Sequence, residues 1–283
     1  MRLCRFDGER LGVWSNGEIT DVSDLLDDLP RFYWARSAAD PVIDRLDELL
    51  PILAKEAKGR RPVSAEGMVL DAPVAMPSKI IGAPVNYHSH VEEADADRAL
   101  NQGRHVHPID EIGCFLKAGS ALCGHGARIM LPAWAERVDH EGEVAVIIGK
   151  AAKSVAAADA LDYVAGYSLS LDMTVRGTQD RSLRKSCDGF AVVGPTLVTA
   201  DEIEDPARIA FSLTVNGETR QSADTSLLIR TIPELIEMCS AFYTLLPGDV
   251  IMTGTPAGVG PVAAGDTVEV TSPELGRLRV TIQ

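Results

Sequence analysis

Apolar residues recur at two different spacings along this chain. Over residues 1–22 they form short runs broken at Asp7-Gly8 and Asn16-Gly17 and resumed in Ile19-Thr20-Asp21-Val22. Asn-Gly between two such runs is a strong hairpin signal, so the opening predicts short paired strands. Ser23 stands where a helix N-cap is expected, just before Leu25-Leu26. Residues 41–58 carry Val42, Ile43, Leu46, Leu49, Leu50, Ile52 and Leu53, a spacing that predicts an amphipathic helix broken near Pro51. Pro62, Pro73 and Pro77 punctuate 59–78. That stretch reads as the connection between a small N-terminal domain, residues 1–75, and a larger one, residues 76–283.

The larger part is strand-rich. Lys79 to Gly82, Phe115 to Lys117, Ala121 to Cys123, Val144 to Ile148, Thr196 to Val198 and Ile209 to Val215 all read as strands, and Asn216-Gly217 marks a second hairpin. Ile232, Leu235, Ile236, Cys239, Phe242 and Tyr243 recur at helical period, with Pro233 in the first turn. Residues 265–270 and 278–282 close the chain as two more strands. The pattern is α+β with β predominating, and it contains no internal repeat.

Composition narrows the function classes. With 283 residues and 46% hydrophobic positions, the chain can bury a sizeable core. Its net charge of -14 argues against a nucleic-acid partner and against an anionic membrane surface. Five cysteines, Cys4, Cys114, Cys123, Cys187 and Cys239, are dispersed without paired or metal-type spacing, which predicts reduced thiols and a cytoplasmic protein. Met1 leads into Arg2-Leu3-Cys4-Arg5-Phe6-Asp7 with no signal-peptide pattern, and no apolar run reaches membrane-spanning length.

Candidate chemistry begins at Glu141-Gly142-Glu143, followed by Val144-Ala145-Val146-Ile147-Ile148. On a strand, residues two apart face the same way, and Gly142 leaves room for close approach. Two carboxylates so placed repel unless a positive charge sits between them. With Asp172 as a third ligand, the all-oxygen set points to Mg²⁺, Mn²⁺ or Ca²⁺. On spacing alone, a strand that opens on two solvated glutamates is the commoner arrangement.

The second loaded stretch is Asn86-Tyr87-His88-Ser89-His90-Val91-Glu92-Glu93. His90 and Glu93 are three apart and share a face of a helical turn, where a carboxylate would orient an imidazole for general-base work. An exposed, charged helix start is the competing reading, and His88 is a rival for the role. Residues 94–112 are polar and read either as a lid or as an ordinary surface insertion. Residues 246–260, Leu-Pro-Gly-Asp-Val-Ile-Met-Thr-Gly-Thr-Pro-Ala-Gly-Val-Gly, have the shape of a ligand-binding turn with exposed backbone N–H groups.

Taken in order, four motifs resemble the fumarylacetoacetate hydrolase family in its two-domain bacterial form. They are Asn86-Tyr87-x-x-His90-x-x-Glu93; Glu141-Gly-Glu143 through Lys150; Gly166-Tyr167 through Asp172, Arg176 and Gln179 with Lys185 behind; and Pro247 through Gly260. The resemblance spans about 79–283. It implies a mixed β-sheet roll, usually dimeric, with a cation held by Glu141, Glu143 and Asp172. It implies water activation by His90 and Glu93, with Lys185 catalytic and Arg176, Gln179 and Thr255 against the substrate. The implied activity is metal-dependent hydrolysis of a carbon–carbon bond in a small-molecule 2,4-dioxo acid, in the catabolism of aromatic compounds. Isomerisation or decarboxylation of related oxo-acids is the alternative chemistry for the same site, and a catalytically silent metal-stabilised protein the remaining one. Gly177 departs from the pattern, standing where many members carry Asp.

Overall fold

The computed structural model describes residues 1–8, 10–28, 39–96, 100, 106–107 and 109–283. Among these, one sheet of twelve strands dominates, beside sheets of five and three. The main path through the large sheet runs Val63–Ser64, Glu18–Asp21, Arg10–Ser15, Arg2–Phe6, Ala191–Thr199, Val164–Asp172, Gly142–Ile148, Val250–Met252, Ile80–Gly82 and Phe115–Lys117. The expected α+β character with strands predominating is what is found.

Strand Gly142–Ile148 is buried along its whole length. Its even residues Val144, Val146 and Ile148 join one apolar core, and Ala145 and Ile147 join another. A strand covered on both faces needs a continuous apolar run rather than alternation, which explains Val-Ala-Val-Ile-Ile. The first core also takes Ile232, Leu235, Ile236 and Cys239 of helix Ile232–Phe242. The second takes Leu3, Leu11 and the buried face of helix Leu46–Lys58. Strand Arg2–Phe6 pairs antiparallel with Ala191–Thr199 through Arg2–Val198 and Leu3–Leu197. The first 75 residues thus extend the same sheet that carries the candidate site.

Both Asn-Gly pairs turn as expected. Asn16 and Gly17 have φ of 51° and 80°, Asn216 and Gly217 52° and 83°, the left-handed pairs that match strand twist. Two local expectations differ. Helix Leu46–Lys58 runs through Pro51, because Pro51 and Asp47 are exposed and the Asp47 carbonyl that loses its amide partner faces water. Ser23 opens a 3-10 helix, Ser23–Asp28, rather than an α-helix. Its hydroxyl turns back to Leu11 and Asp21 and caps nothing. The stretch 94–112, read as a lid or a surface insertion, lies partly outside the described residues: Asn101, Gln102, Gly103, His105 and Pro108 are all beyond them.

Candidate metal centre

The acidic residues sit at a corner of the fold. Strand Val138–His140 belongs to the three-stranded sheet, and Gly142–Ile148 to the twelve-stranded one. Glu141 is the residue between them, so of the two glutamates only Glu143 lies on a strand. The antiparallel partner makes the same change: Val164–Asp172 pairs in the large sheet, and Thr174–Val175 in the small one. The Asp172 amide donates to the Glu141 carbonyl at 2.9 Å, which fixes the two corners against each other. One carboxylate oxygen from each of Glu141, Glu143 and Asp172 then lies within 4.8 Å of the others.

All three carboxylates are buried, and their charge partners differ. Lys185 Nζ, on helix Arg181–Lys185, donates to Glu141 Oε2 at 2.8 Å, Asp172 Oδ2 at 2.7 Å and Thr174 Oγ1 at 2.7 Å. Lys117, the fully buried end of strand Phe115–Lys117, bonds the other Asp172 oxygen. Arg176 bridges Asp139 at 2.8 Å and Glu141 at 2.6 Å, and Arg137 closes on Asp139 at 2.6 Å. Burial alone would raise Glu141, but Lys185 and Arg176 outweigh it and hold its pKa far below the usual carboxylate range. Burial lowers the Lys117 pKa, against the pull of Asp172.

Glu143 is different. Its Oε2 accepts from the Gly254 amide at 2.8 Å, and among the described residues no cation is in ion-pair contact with it. Burial first, then the charges of Asp172 and Glu141, push its pKa well above the ordinary value. An oxygen-only donor set with one buried carboxylate lacking a counter-charge fits a hard divalent cation.

The loop after strand Val250–Met252 supplies that amide. Thr253 bonds the Val144 carbonyl through both N and Oγ1, at 3.0 and 2.9 Å. Gly254 then takes φ of 102°, where a Cβ would also lie 2.7 Å from Asn86 Cβ. Asn86 locks the loop by donating to the carbonyls of Thr253 and Arg230, each at 2.9 Å. Two amides of this turn therefore serve the chain's own carboxylates: Gly254 N reaches Glu143, and Gly258 N reaches Glu93 Oε1 at 2.8 Å.

His90 and Glu93 meet on helix His88–Ala96, with Nδ1 donating to Glu93 Oε2 at 3.2 Å. Burial works to raise the Glu93 pKa, but the bonds from His90 and Gly258 win and hold it below its ordinary value. Glu93 thus stays ionised and keeps the proton on Nδ1, which leaves Nε2 as the basic nitrogen. His90 is buried, whereas His88 on the same helix is exposed.

A cavity of about 310 Å³ brings most of these groups together: Glu141, Glu143, Asp172, His90, Lys185 and Thr255 line it, as do Arg176 and Gln179. The Thr255 hydroxyl donates to the Gly142 carbonyl at 2.9 Å and accepts from Gln221 Nε2 at 2.8 Å. The Arg176 guanidinium is committed to Asp139 and Glu141. Among the described residues of 94–112, Leu100, Val106, His107 and Ile112 also face the cavity.

Sequence reasoning missed Lys117, Gln221 and the Arg137–Asp139 pair. Gln221 Oε1 accepts from the Gly142 amide at 2.9 Å, so this one side chain grips the backbone between the two glutamates. A lysine ending an apolar strand was the available signal for Lys117. Nothing local marks Gln221.

This corner gathers three carboxylates that could hold a divalent cation, beside an imidazole tied to its own carboxylate. The profile of the fumarylacetoacetate hydrolase C-terminal family matches residues 79–283, and the chain belongs to that family. It is 45% identical over 285 residues to maleylpyruvate hydrolase of Aquipseudomonas alcaligenes, covering 100% of this chain and 99% of that one. It superposes with a TM-score of 0.85, at 40% identity, on maleylpyruvate hydrolase of Sphingobium sp. SYK-6 in complex with manganese(II) and pyruvate, covering 100% and 98% of the two chains. It is also 39% identical over 296 residues to a mitochondrial oxaloacetate tautomerase of Rattus norvegicus, covering 98% and 90%.

Proposed function

We propose that this chain is a metal-dependent hydrolase that splits a 2,4-dioxo acid of the acylpyruvate type into pyruvate and a carboxylic acid. One observation carries the reading: the carboxylate triad and the Glu93-tied imidazole of His90 share a single cavity. The full-length similarity to two maleylpyruvate hydrolases supports it.

Glu141, Glu143 and Asp172 would hold the cation, Mg²⁺ or Mn²⁺, with Ca²⁺ as the other hard-ion choice. A bound divalent ion supplies Lewis-acid stabilisation for negative charge on the pyruvoyl half of the substrate. The remaining chemistry belongs to side chains. His90 Nε2 takes a proton from water, and the hydroxide so formed attacks the distal keto carbon. Glu93 stabilises the imidazolium through Nδ1–H. Gln179 provides a donor for the oxygen that gains charge on attack, and Lys185, its three N–H groups already given to Glu141, Asp172 and Thr174, adds positive charge in the same cavity. The bond to the adjacent methylene then breaks, its electron pair staying on the methylene carbon, which is protonated to give pyruvate. Arg176 positions Glu141. Thr255 and Gln221 hold the Gly142 backbone beneath the substrate.

The tautomerase relative supports a second reading, in which the cavity interconverts keto and enol forms of an oxo-acid without delivering water; decarboxylation would use the same charge stabilisation. One assay separates these. Purified protein with Mn²⁺ or Mg²⁺ should release pyruvate from acetylpyruvate, followed through lactate dehydrogenase, and chelator should abolish it. Enol–keto exchange of oxaloacetate without pyruvate release from any acylpyruvate would replace the hydrolase reading by the tautomerase one.

The boundary near residue 75 and a homodimer belong to the same proposal, with light scattering as the check on the dimer. No helix among the described residues is long and apolar enough to cross a membrane.

A further inference from the structure

The cavity also holds two arginines that the mechanism above does not use. Arg181 and Arg184 both line it, at the start and the fourth position of helix Arg181–Lys185, whose last residue reaches the triad. Arg181 and Lys185 are four apart and so share a helix face, about 6 Å apart along the axis. Both lie over the ring of Phe115, the Arg181 guanidinium carbon at 5.5 Å and Lys185 Nζ at 5.1 Å from its centroid. One ring thus lies between Lys185, which reaches the triad, and Arg181.

Neither arginine is neutralised. Arg184 donates to the carbonyls of Gln179 at 2.9 Å and Val175 at 3.2 Å, and Arg181 meets only the Phe115 ring. Among the described residues no carboxylate lies within ion-pair distance of either. The neighbouring Asp180 is engaged by Ser182 as the helix cap. In a chain of net charge -14, acidic partners are abundant, yet among the described residues none pairs with Arg181 or Arg184, and Glu141 and Asp180 act on Arg184 only through space. The electrostatic strain is visible at Arg184, whose pKa is lowered first by burial and then by the charges of Arg176 and Arg181. A carboxylate entering beside them would satisfy the planar fork of Arg181 and offset the repulsion between the two guanidinium groups.

We infer that Arg181 and Arg184 receive a second carboxylate, on the acyl arm of the substrate, and so select dicarboxylic over monocarboxylic acylpyruvates. The inference rests on the acylpyruvate reading for the orientation of the pyruvoyl end toward the triad. Arg181 is the principal contact, because its fork is uncommitted. Arg184 adds charge while also holding the 175–179 backbone.

The test uses matched probes that differ only in the distal group. Titration calorimetry of the Mn²⁺-loaded protein with 2-oxoadipate and with 2-oxohexanoate, which has the same chain length and one carboxylate, compares affinities without turnover. Tighter binding of 2-oxoadipate by at least about tenfold is expected, the size of a charge-assisted bidentate contact. In Arg181→Gln that ratio should collapse toward unity, and Arg181→Lys should retain part of it. The ratio of kcat/KM for fumarylpyruvate over acetylpyruvate should fall in parallel, mainly through KM. Equal affinity of the wild-type protein for the two probes, or an Arg181→Gln variant that keeps the full ratio, overturns the inference. Absence of acylpyruvate turnover alongside an intact binding preference would instead remove the hydrolase reading and leave the arginine site standing.

Discussion

Replacing Glu143 by Gln should stabilise the metal-free protein, and the gain should grow with pH. Glu143 is 2% exposed, and its ligand oxygen lies within 4.8 Å of those of Glu141 and Asp172. Two unit charges at that separation repel by about 3 kcal/mol at an effective dielectric near 20. Lys185 offsets part of this, but burial and the two neighbouring charges still raise the Glu143 pKa well above 4.5. A carboxyl whose folded value exceeds its unfolded value contributes stability that is complete below the unfolded pKa. That contribution is lost as pH climbs through the folded one. Gln cannot ionise and suffers no such loss. The stability difference between variant and wild type should therefore open from about pH 4.5 upward, with a slope of at most about 1.4 kcal/mol per pH unit. Two units of pH bring it to about 3 kcal/mol, in line with the Coulomb figure. Urea unfolding of both proteins in chelator, at steps from about pH 5 to about pH 8, measures it directly. Excess Mn²⁺ should reverse the order, adding about 4.1 kcal/mol to the wild type at about a thousandfold excess over Kd and much less to the variant. A difference that stays constant with pH, or a variant less stable than wild type at pH 8 without metal, would refute the claim that Glu143 lacks a counter-charge.

Four further outcomes are expected. His90→Ala should lower kcat for acetylpyruvate by about 10²- to 10⁴-fold, as for loss of a general base, with Mn²⁺ affinity by calorimetry little changed. Glu93→Gln should lower kcat in the same assay through the imidazole, whose Nδ1–H loses its carboxylate acceptor. Gln221→Ala should cost about 1–3 kcal/mol in urea unfolding, since it leaves the buried Gly142 amide without its acceptor, and should weaken Mn²⁺ binding through the loosened corner. Gly177→Asp places a Cβ 2.2 Å from Gln179 Oε1, so it should push that flexible side chain aside and raise KM while leaving the melting temperature nearly unchanged.

Features carried by local rules were legible in the sequence. The Asn-Gly turns, the apolar strand after Glu143 and the helix begun by Pro233 each follow from a few neighbouring residues. The His90–Glu93 contact followed from helical spacing. Convergence of Glu141 and Glu143 was expected from an uninterrupted strand, yet the chain changes sheets at Glu141 and the two carboxylates meet at a corner. That corner depends on Asp139–Thr174 and Gly142–Leu171 pairing in different sheets, a long-range fact with no local trace. Gln221 was invisible for the same reason: its hairpin is brought onto Gly142 from 79 residues away. The amides of 254 and 258 looked available to a ligand because nothing in their own segment shows that Glu143 and Glu93 take them.

Charge accounting ties the corner to its ligand. Glu141, Glu143, Asp172 and Asp139 meet Lys117, Lys185, Arg176 and Arg137. Four acids and four bases leave that buried group neutral when Glu143 is ionised. A divalent ion on the triad then adds two positive charges, and these are matched by the pyruvoyl carboxylate and by the charge that develops when the carbon–carbon bond opens. The corner is thereby poised for the transition state rather than for the resting substrate, the condition under which binding energy accelerates a reaction. Arg181 and Arg184 stand outside this balance. Their counter-charge has to arrive with the ligand, which is why the acyl arm, and not the pyruvoyl end, is where this chain should discriminate among substrates.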